Sequence, residues 1–400
     1  MGRGAIGTAL VIGGGIAGPV VGAALRQAGV DVTMYEAYDS PADGVGGVIQ
    51  IAPNGLNALA AVGVGEQVGQ LGQTTRTMVM ENSQGKKVMA FSGLPGLPAA
   101  RTLWRSDLYR VLNDNALAKG VKVEYGKRLV SVAESADSIT AVFADGSKAT
   151  ADVLIGADGI RSTVRGLIDP SARGPEPVGL LGIGGYGPSV PGLEDPDAMH
   201  FAQGKRAFFG YWATPDGGMM WFSNLPDPTN MSMAEMQATP TTEWLRRLRE
   251  AHADDYPARV VVAGTQELEL AGSMEILPTP DRWYRDRMVL VGDSVHAPSP
   301  SSGQGVSITA ESAVQLARCL RDLPDLPSAF AAYESLRRGR VEKIAAAARR
   351  VNNSKAAGPV ARTLSALVAP LLVRTILTPE RMFRETHGHT IDWEARVTAR

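Results

Sequence analysis

Hydrophobic positions along the chain fall into two periods, and the changes between them outline an architecture. Residues 8–13, Thr-Ala-Leu-Val-Ile-Gly, form a short apolar run, the pattern of a strand buried on both faces. Small and apolar residues then recur at helical spacing over 15–28, and 30–36 reads as a second strand. Strand, helix and strand in so short a span make the unit of a doubly wound sheet. Residues 106–119 predict a helix, with Leu108, Val111, Leu112 and Leu117 on one stripe. Strands are predicted over 121–132, 139–144 and 152–155, with Asp145-Gly146 as a hairpin turn.

From about residue 170 the texture changes. Gly and Pro are frequent up to Pro196, and strand-like runs follow at 206–212 and 218–223. The stretch 170–290 holds 12 of the 23 aromatic residues, which fits a mostly antiparallel sheet with an aromatic inner face. A buried-strand pattern returns at 288–291. Helical spacing then runs over 305–321, 328–351 and 359–377, with Leu323-Pro324-Asp325-Leu326-Pro327 punctuating the first two. The expected fold class is α/β: a Rossmann-like domain with an inserted, mostly antiparallel β-sheet domain and a helical C-terminal tail. The expected division is 1–169 with 285–330 for the first domain, interrupted by strands near 75–105 that belong to the second. The second domain spans 170–284, and C-terminal helices span 331–400.

Composition removes several classes. At 400 residues and 44% apolar content the chain is not disordered. Forty basic and 41 acidic residues give a net charge of −1, which offers no nucleic-acid surface. Cys319 is the single cysteine, so no intramolecular disulfide forms, and five scattered His do not make a zinc site. With no evident leader, this suggests a cytoplasmic protein. The uncharged stretch 5–25 contains too many Gly, and Pro19, to be a signal-peptide core. The apolar stretch 363–373 contains Pro370 and is shorter than the ~20 residues of a membrane span, so it reads as a buried or interfacial helix. Arg337, Arg338, Arg340, Lys343, Arg349 and Arg350 read as a solvated basic face, and His387 and His389 as surface residues. No Ser-His-Asp or metal spacing is evident.

Gly13-Gly14-Gly15-Ile16-Ala17-Gly18 is a G-x-G-x-x-G run after a strand and opening a helix. Gly13 allows the tight turn, Gly15 lets backbone approach a pyrophosphate, and Gly18 lets helix pack on strand. Free N–H groups and the dipole at the helix start favour phosphate. Glu36 ends the next strand, placed to bind a ribose 2′-OH, which favours FAD or NAD over NADP at this site. Seventeen of the 45 glycines lie in the first 72 residues, so the glycine excess sits where backbone must approach a dinucleotide.

Two later segments separate FAD from NAD. One is Gly156-Ala157-Asp158-Gly159-Ile160-Arg161-Ser162-Thr163-Val164-Arg165. The other is Gly292-Asp293-Ser294-Val295-His296, followed by Pro300 and Gly303-Gln304-Gly305. Together with the first motif they resemble the class A FAD-dependent monooxygenases, the flavoprotein aromatic hydroxylases of the p-hydroxybenzoate hydroxylase fold, over about residues 8–340. The resemblance implies that Gly13, Gly15, Ile16, Ala17, Gly18, Glu36, Gly47, Arg105, Asp158, Gly159, Gly292, Asp293, Pro300, Gly303, Gly305 and Val306 bind FAD. Asp293 would hold a ribityl hydroxyl, and the helix opened by Gly303-Gln304-Gly305 would face the flavin N1 and C2 carbonyl. Arg105 would contact the phosphates or flavin region. Pro300 would line the face where oxygen reacts. Asp158 and Arg161 fall in the family's second fingerprint. Ser294-Val295, Ser299, Ser307 and Glu311 depart from the residues usual in that family at these positions. His296 reads as structural.

The resemblance also implies an activity. NAD(P)H would reduce FAD, O2 would add at flavin C4a, and the hydroperoxide would hydroxylate an electron-rich aromatic or polyketide-like small molecule. Arg206, Phe208, Tyr211 and Trp221 are the candidate substrate contacts. Alternation puts Arg206 and Phe208 on one face and Tyr211 on the other. The alternatives are an antibiotic-inactivating oxygenase of the tetracycline-destructase type and a flavin oxidoreductase without oxygenation. A halogenase is disfavoured because Ser223 stands where its motif needs a second Trp. The expected partners are a small aromatic molecule, no nucleic acid and no stable membrane insertion, in a monomer or homodimer.

Overall fold

A computed structural model describes residues 6–41, 46–355 and 379–398. The apolar run at the start forms the strand Thr8–Ile12, which lies between Asp31–Tyr35 and Val153–Gly156 and is parallel to both. Four of its five residues are buried, as a strand covered on both faces requires. The sheet continues through Met288–Leu290, parallel to Val153–Gly156, and Lys122–Glu124 closes the other edge. Helix Ala17–Gln27 packs against the long helix Gly305–Asp322. The ends of Thr8–Ile12, Val153–Gly156 and Met288–Leu290 therefore point their following loops into one region.

The second large sheet has seven strands. Its order is Leu268–Ile276, Glu176–Gly187, Met219–Pro226, Phe208–Ala213, Ala198–Gln203, Thr77–Asn82 and Lys87–Ser92. Neighbours are antiparallel except for the parallel pair Ala198–Gln203 and Thr77–Asn82. The strands at 77–92 thus join a sheet formed mainly from residues about 100 positions later. One face is covered by Met233–Ala238, Thr241–Ala251 and Ala258–Gly264, whose Met236, Trp244, Leu248, Val261 and Val262 share a core with Phe209, Tyr211 and Trp221. The other face turns toward residues 46–51: the Gln50 amide approaches Met199 Sδ at 3.9 Å, and Gly47 abuts Glu269. Aromatic residues lie on both faces rather than on one.

Several expectations from the sequence are corrected. The strand predicted over 121–132 is two strands, Lys122–Glu124 and Leu129–Glu134, in different sheets. Gly126, at φ +69°, turns the chain between them. In helix Arg105–Ala118, Leu108 and Leu112 are buried but Leu117 is exposed, and Ala116 takes the inner position. The glycine- and proline-rich stretch before residue 196 contains the 12-residue strand Glu176–Gly187, next to the edge strand Leu268–Ile276 and paired on both sides. Its glycines are needed because neighbours fill the space: a Cβ on Gly185 would press on the Trp221 ring at 2.9 Å. The helix predicted over 359–377 and the apolar stretch 363–373 lie outside the described residues. No helix among the described residues is long and apolar enough to cross a membrane.

The basic stretch on helix Leu326–Lys355 is not a solvated face throughout. Arg337 is wholly buried and meets Glu311, also wholly buried, at 2.7 Å; Arg340 meets the same carboxylate at 2.8 Å. Arg338 lies over the Trp283 ring at 5.1 Å and donates to the Asp281 carbonyl at 2.9 Å. Lys343, Arg349 and Arg350 do face outward. Burial alone would raise the Glu311 carboxyl, but the two guanidinium groups, Arg337 foremost, hold it at about 2. His387 is likewise buried, stacked on Phe383 at 4.5 Å, where burial and Arg340 push it down to about 4. Truncating one partner of a buried ion pair strands the other charge. Arg337→Met should therefore cost about 3–5 kcal/mol in chemical denaturation, while Lys343→Met leaves the transition in place.

Candidate active site

The turn after the first strand is shaped by its glycines. Gly13 sits at φ +105°, and a Cβ there would run into the Ala157 carbonyl. Its N–H donates to Tyr35 O at 2.8 Å. A Cβ on Gly18 would strike the Gly13 carbonyl and come within 2.9 Å of Met34 Sδ. These two glycines serve close backbone contact. Gly15 differs: the nearest atom to a Cβ there is Arg105 Nη2, 3.9 Å away. The turn therefore has open space over Gly15, at the start of a helix whose N-cap is Ile16 and whose first residues are Ala17 and Gly18. The Glu36 carboxylate accepts the Gly14 N–H at 2.7 Å and the Tyr38 N–H at 2.9 Å, which fastens this turn to the end of the second strand.

Arg105 opens helix Arg105–Ala118, and its N–H donates to Gly47 O at 3.0 Å. A Cβ on Gly46, at φ +95°, would touch Arg105 Cδ at 2.8 Å. The arginine thus lies between Gly15 and the Gly46-Gly47 segment. Asp293 reaches the same region from the turn Gly292–Ser294. Gly292 is at φ +68°, with a Cβ position 2.9 Å from Ala17 Cβ and 3.1 Å from Thr309 Cγ2, so no side chain fits. The Asp293 carboxylate is open to solvent yet closely surrounded by protein, the setting of a cleft floor. Among the described residues nothing donates a hydrogen bond to it. Burial pushes it up to about 6, and Arg105 offsets part of that rise.

Asp158, in the second motif, is engaged within the motif itself. Asp158 accepts from the Ser162 hydroxyl, from Thr163 N–H at 2.8 Å and from Val164 N–H at 3.1 Å, capping helix Thr163–Ile168. Burial still raises this carboxyl overall against those bonds. Gly159, at φ +76°, has nothing near its Cβ position. Arg161 forms a two-pronged pair with Glu275 at 2.7 and 2.8 Å. Arg165 donates to Ser294 O at 3.0 Å and to Ile160 O at 2.8 Å. Ser294 in turn donates toward Gly156 O at 2.6 Å. The hydroxyl at this unusual position therefore clamps the second and third motifs together.

Pro300 is exposed at the start of the turn Pro300–Ser302, which Gly303 ends at φ +60°. A Cβ on Gly303 would lie 2.9 Å from Gln50 Oε1. Gln304 caps helix Gly305–Asp322, and Gly305 and Val306 form its half-buried first turn. One supporting side chain, Asn54, escaped the sequence reading. Asn54 donates to Gln304 Oε1 at 3.0 Å and to Glu311 Oε1 at 2.7 Å, and Ser307 Oγ accepts from Ala52 N–H at 3.1 Å. They seat helix Pro53–Ala61 against the start of helix Gly305–Asp322. The signal was present as Pro53 at a first helical position. His296 is structural: it is buried, paired with Ser312 Oγ at 2.8 Å, and pushed down to about 3 by burial and by Arg337. Cys319 is buried, its thiol pushed up to about 11 by burial.

The substrate candidates separate. Phe208 lies on the sheet face turned toward residues 46–51, clustered with Phe201 and Phe222 at centroid distances of 6.1–6.4 Å. Tyr211 and Trp221 are wholly buried on the opposite face, where Tyr211 donates to Glu81 at 2.8 Å and Trp221 to Thr265 at 3.0 Å. Arg206 is exposed, bound to Asp254 at 2.8 Å, and lines a hollow of about 590 Å³ with Trp244 and Glu250 on the helix side. These three are corrected as contacts of the cleft. The expectation of no Ser-His-Asp arrangement is corrected too. Ser223 Oγ meets His252 Nε2 at 2.8 Å, and His252 Nδ1 meets Asp255 at 3.2 Å. All three are buried in the sheet core, where no substrate can reach the hydroxyl.

These shifted groups give opposite signs of pH dependence. His296 and His387 stay neutral in the fold down to about 3 and about 4, so their contribution fades as pH falls below ~6.5, where the unfolded chain protonates. Asp293 holds its proton up to about 6, so its charge weighs against the ligand-free fold above that pH. Ligand-free Asp293→Asn should melt above wild type at pH 7.5 and lose that advantage at pH 4.5. His296→Gln should show a smaller acid loss between pH 6.5 and 4. Melting curves across this range check both.

A family model described as an FAD binding domain matches residues 7–348. Aurachin C monooxygenase/isomerase of Stigmatella aurantiaca is 30% identical over 355 residues, covering 86% of this chain and 88% of that protein. The FAD-dependent urate hydroxylase of Klebsiella pneumoniae is 30% identical over 351 residues, with 86% and 88% covered. The crystal structure of Klebsiella pneumoniae HpxO complexed with FAD and uric acid superposes with a TM-score of 0.80 at 25% identity, over 91% of this chain and 92% of that one. The open turn at Gly15 and Asp293 at the cleft floor, without a donor among the described residues, fit the FAD that the family model, the urate hydroxylase and the HpxO structure name. The chain belongs to the family of FAD-dependent monooxygenases and hydroxylases.

Proposed function

We propose that this chain uses NAD(P)H and O2 to hydroxylate an electron-rich aromatic or polyketide-like small molecule. The observation that carries this reading is the placement of an aromatic sheet face, with Phe201, Phe208 and Phe222, across residues 46–51 from the cleft of Gly15, Arg105 and Asp293. FAD, when bound, supplies the reducing equivalents taken from NAD(P)H and the activation of oxygen. The protein's part is to bind, to orient and to exclude water.

Each group in the cleft has a physical task. Gly15 leaves room for a pyrophosphate at the start of helix Ala17–Gln27, where free N–H groups favour anions. Arg105 adds positive charge beside it. Glu36 keeps lone pairs for a ribose hydroxyl beyond the two N–H groups that it accepts. Asp293 takes a ribityl hydroxyl, the donor that its carboxylate lacks in the protein. The turn Pro300–Ser302 and the N-terminus of helix Gly305–Asp322 would border the isoalloxazine, and that helix end favours negative charge on it. The seven-stranded sheet forms the substrate domain; of the expected insertion at 75–105 only Thr77–Asn82 and Lys87–Ser92 join it, while Ala100–Trp104 pairs with Val48–Ile51 and Gln73–Thr75 in a separate sheet. Asp158 supports this site through the cap of helix Thr163–Ile168.

The purified chain should hold FAD, and the true substrate should accelerate NAD(P)H oxidation while one atom from 18O2 enters the product. Reduction that never yields an oxygenated product would point instead to an oxidoreductase without oxygenation. Gly15→Val should fold, since nothing crowds the position, yet lose FAD affinity by more than tenfold; equilibrium dialysis against FAD checks this. Asp293→Ala should lower FAD affinity by about tenfold, the worth of one hydrogen bond to a charged group.

A further inference from the structure

Glu269, like Asp293, has no partner among the described residues, but it stands on the seven-stranded sheet rather than on the glycine turns. Residues in register across the seven-stranded sheet form a row: Glu269 opposite Gly184, Gly184 opposite Phe222, Phe222 opposite Gly210, and Gly210 opposite Phe201. Directly paired residues project to the same side of a sheet. Glu269 therefore shares the face of Phe201, Phe208 and Phe222. Its carboxylate reaches across to Gly47, where a Cβ would lie 2.7 Å from Oε1. Gly184, between the carboxylate and Phe222, adds no side chain, so a gap one residue wide separates acid from ring. The ring of Phe222 leans the other way, over Gly210.

The carboxylate is half-buried, and among the described residues nothing donates to it or pairs with it. Burial alone raises its pKa. A desolvated carboxylate without donors costs free energy, which a bound donor would offset. Among the described residues paired across this face from Thr77–Asn82 to Glu176–Gly187 there is no Arg, Lys or His: Met78, Met80, Met199, Trp212 and Met220 lie on it, with Asn82, Gln203, Asn224 and Tyr186 as polar groups. It therefore offers nothing to neutralise an anionic substrate.

We propose that Glu269 is the specificity-determining residue of the substrate site: its carboxylate accepts an N–H or O–H of a neutral or cationic aromatic or heteroaromatic ring that lies against Phe222, and it repels aromatic carboxylates. The inference rests on the monooxygenase reading above and narrows its substrate class. Repulsion by a like charge in a water-poor cleft is the stronger half of the selectivity, because a mismatched carboxylate loses hydration without gaining a cation.

The test uses the FAD-loaded protein and three probes: 3-aminophenol, 5-hydroxyindole and 3-hydroxybenzoate. Dissociation constants come from perturbation of the flavin absorption band. Wild type should bind the first two at least tenfold more tightly than the third, in line with a charge-assisted hydrogen bond. Glu269→Gln keeps the size and should weaken the first two by about tenfold, with FAD content and melting temperature unchanged. Glu269→Arg should reverse the order and favour 3-hydroxybenzoate. Equal affinities in wild type, no binding of any probe, or unchanged constants in Glu269→Gln would overturn the proposal. So would loss of FAD from Glu269→Gln, which would make the residue part of the cofactor seat. A wild-type protein that takes up no FAD would overturn the monooxygenase reading itself, a separate result.

Discussion

The constraint on which the rest depends is the close approach of backbones at Gly13. Its Cβ position is taken by the Ala157 carbonyl, and its own carbonyl takes the Cβ position of Gly18. The end of the first strand and the start of the first helix thereby meet, at main-chain distance, the loop after Val153–Gly156, far away in sequence. The same demand recurs at Gly292 against Ala17 and Thr309. A protein that brings backbone N–H groups to a dinucleotide must remove side chains there, and it pays in glycine. Gly13, Gly15 and Gly18 are the part of the early glycine excess that records this geometry.

The loops so gathered would still be free to shift without fasteners, and polar side chains supply them. Ser294 and Arg165 tie the second motif to the third, and Glu36 ties the glycine turn to the second strand. Asn54, Gln304, Glu311, Arg337 and Arg340 form a buried network that locks the start of helix Gly305–Asp322 against two other helices. Such a network fixes orientation more than it adds stability, since burying its charges is costly. Asp293 is the exception among these groups. Among the described residues nothing donates to it, and it stays open to solvent at the floor of the cleft.

The seven-stranded sheet divides its two faces by alternation. One face is closed by helices and holds Tyr211, Trp221 and the Ser223–His252–Asp255 array as packing. The other is left for the cleft, with glycines at 184 and 210 beside phenylalanines. Small residues next to large ones on neighbouring strands let rings lie flat over the sheet: Phe222 occupies the space above Gly210. The aromatic richness of this region therefore has two sources, a core closed by helices and a second face turned toward residues 46–51, which composition alone cannot separate.

By itself the sequence determined the parallel sheet, its glycine turn and the three motifs, because these are local: an apolar run, a fixed spacing and a helix start are all read within ten residues. It also placed Arg105 and Asp293 as candidates, through the family resemblance. It did not determine that Arg337 is buried, since the partner that compensates its charge, Glu311, lies on another helix. Nor did it show Glu176–Gly187 as a strand, because its glycines look like loop until the Trp221 ring is set beside them. Alternation separated Phe208 from Tyr211, but which face is covered by helices and which meets residues 46–51 was decided by tertiary packing. The same packing left Glu269 without a partner. Periodicity and propensity act along the chain, whereas charge compensation and the covering of a sheet face act across it.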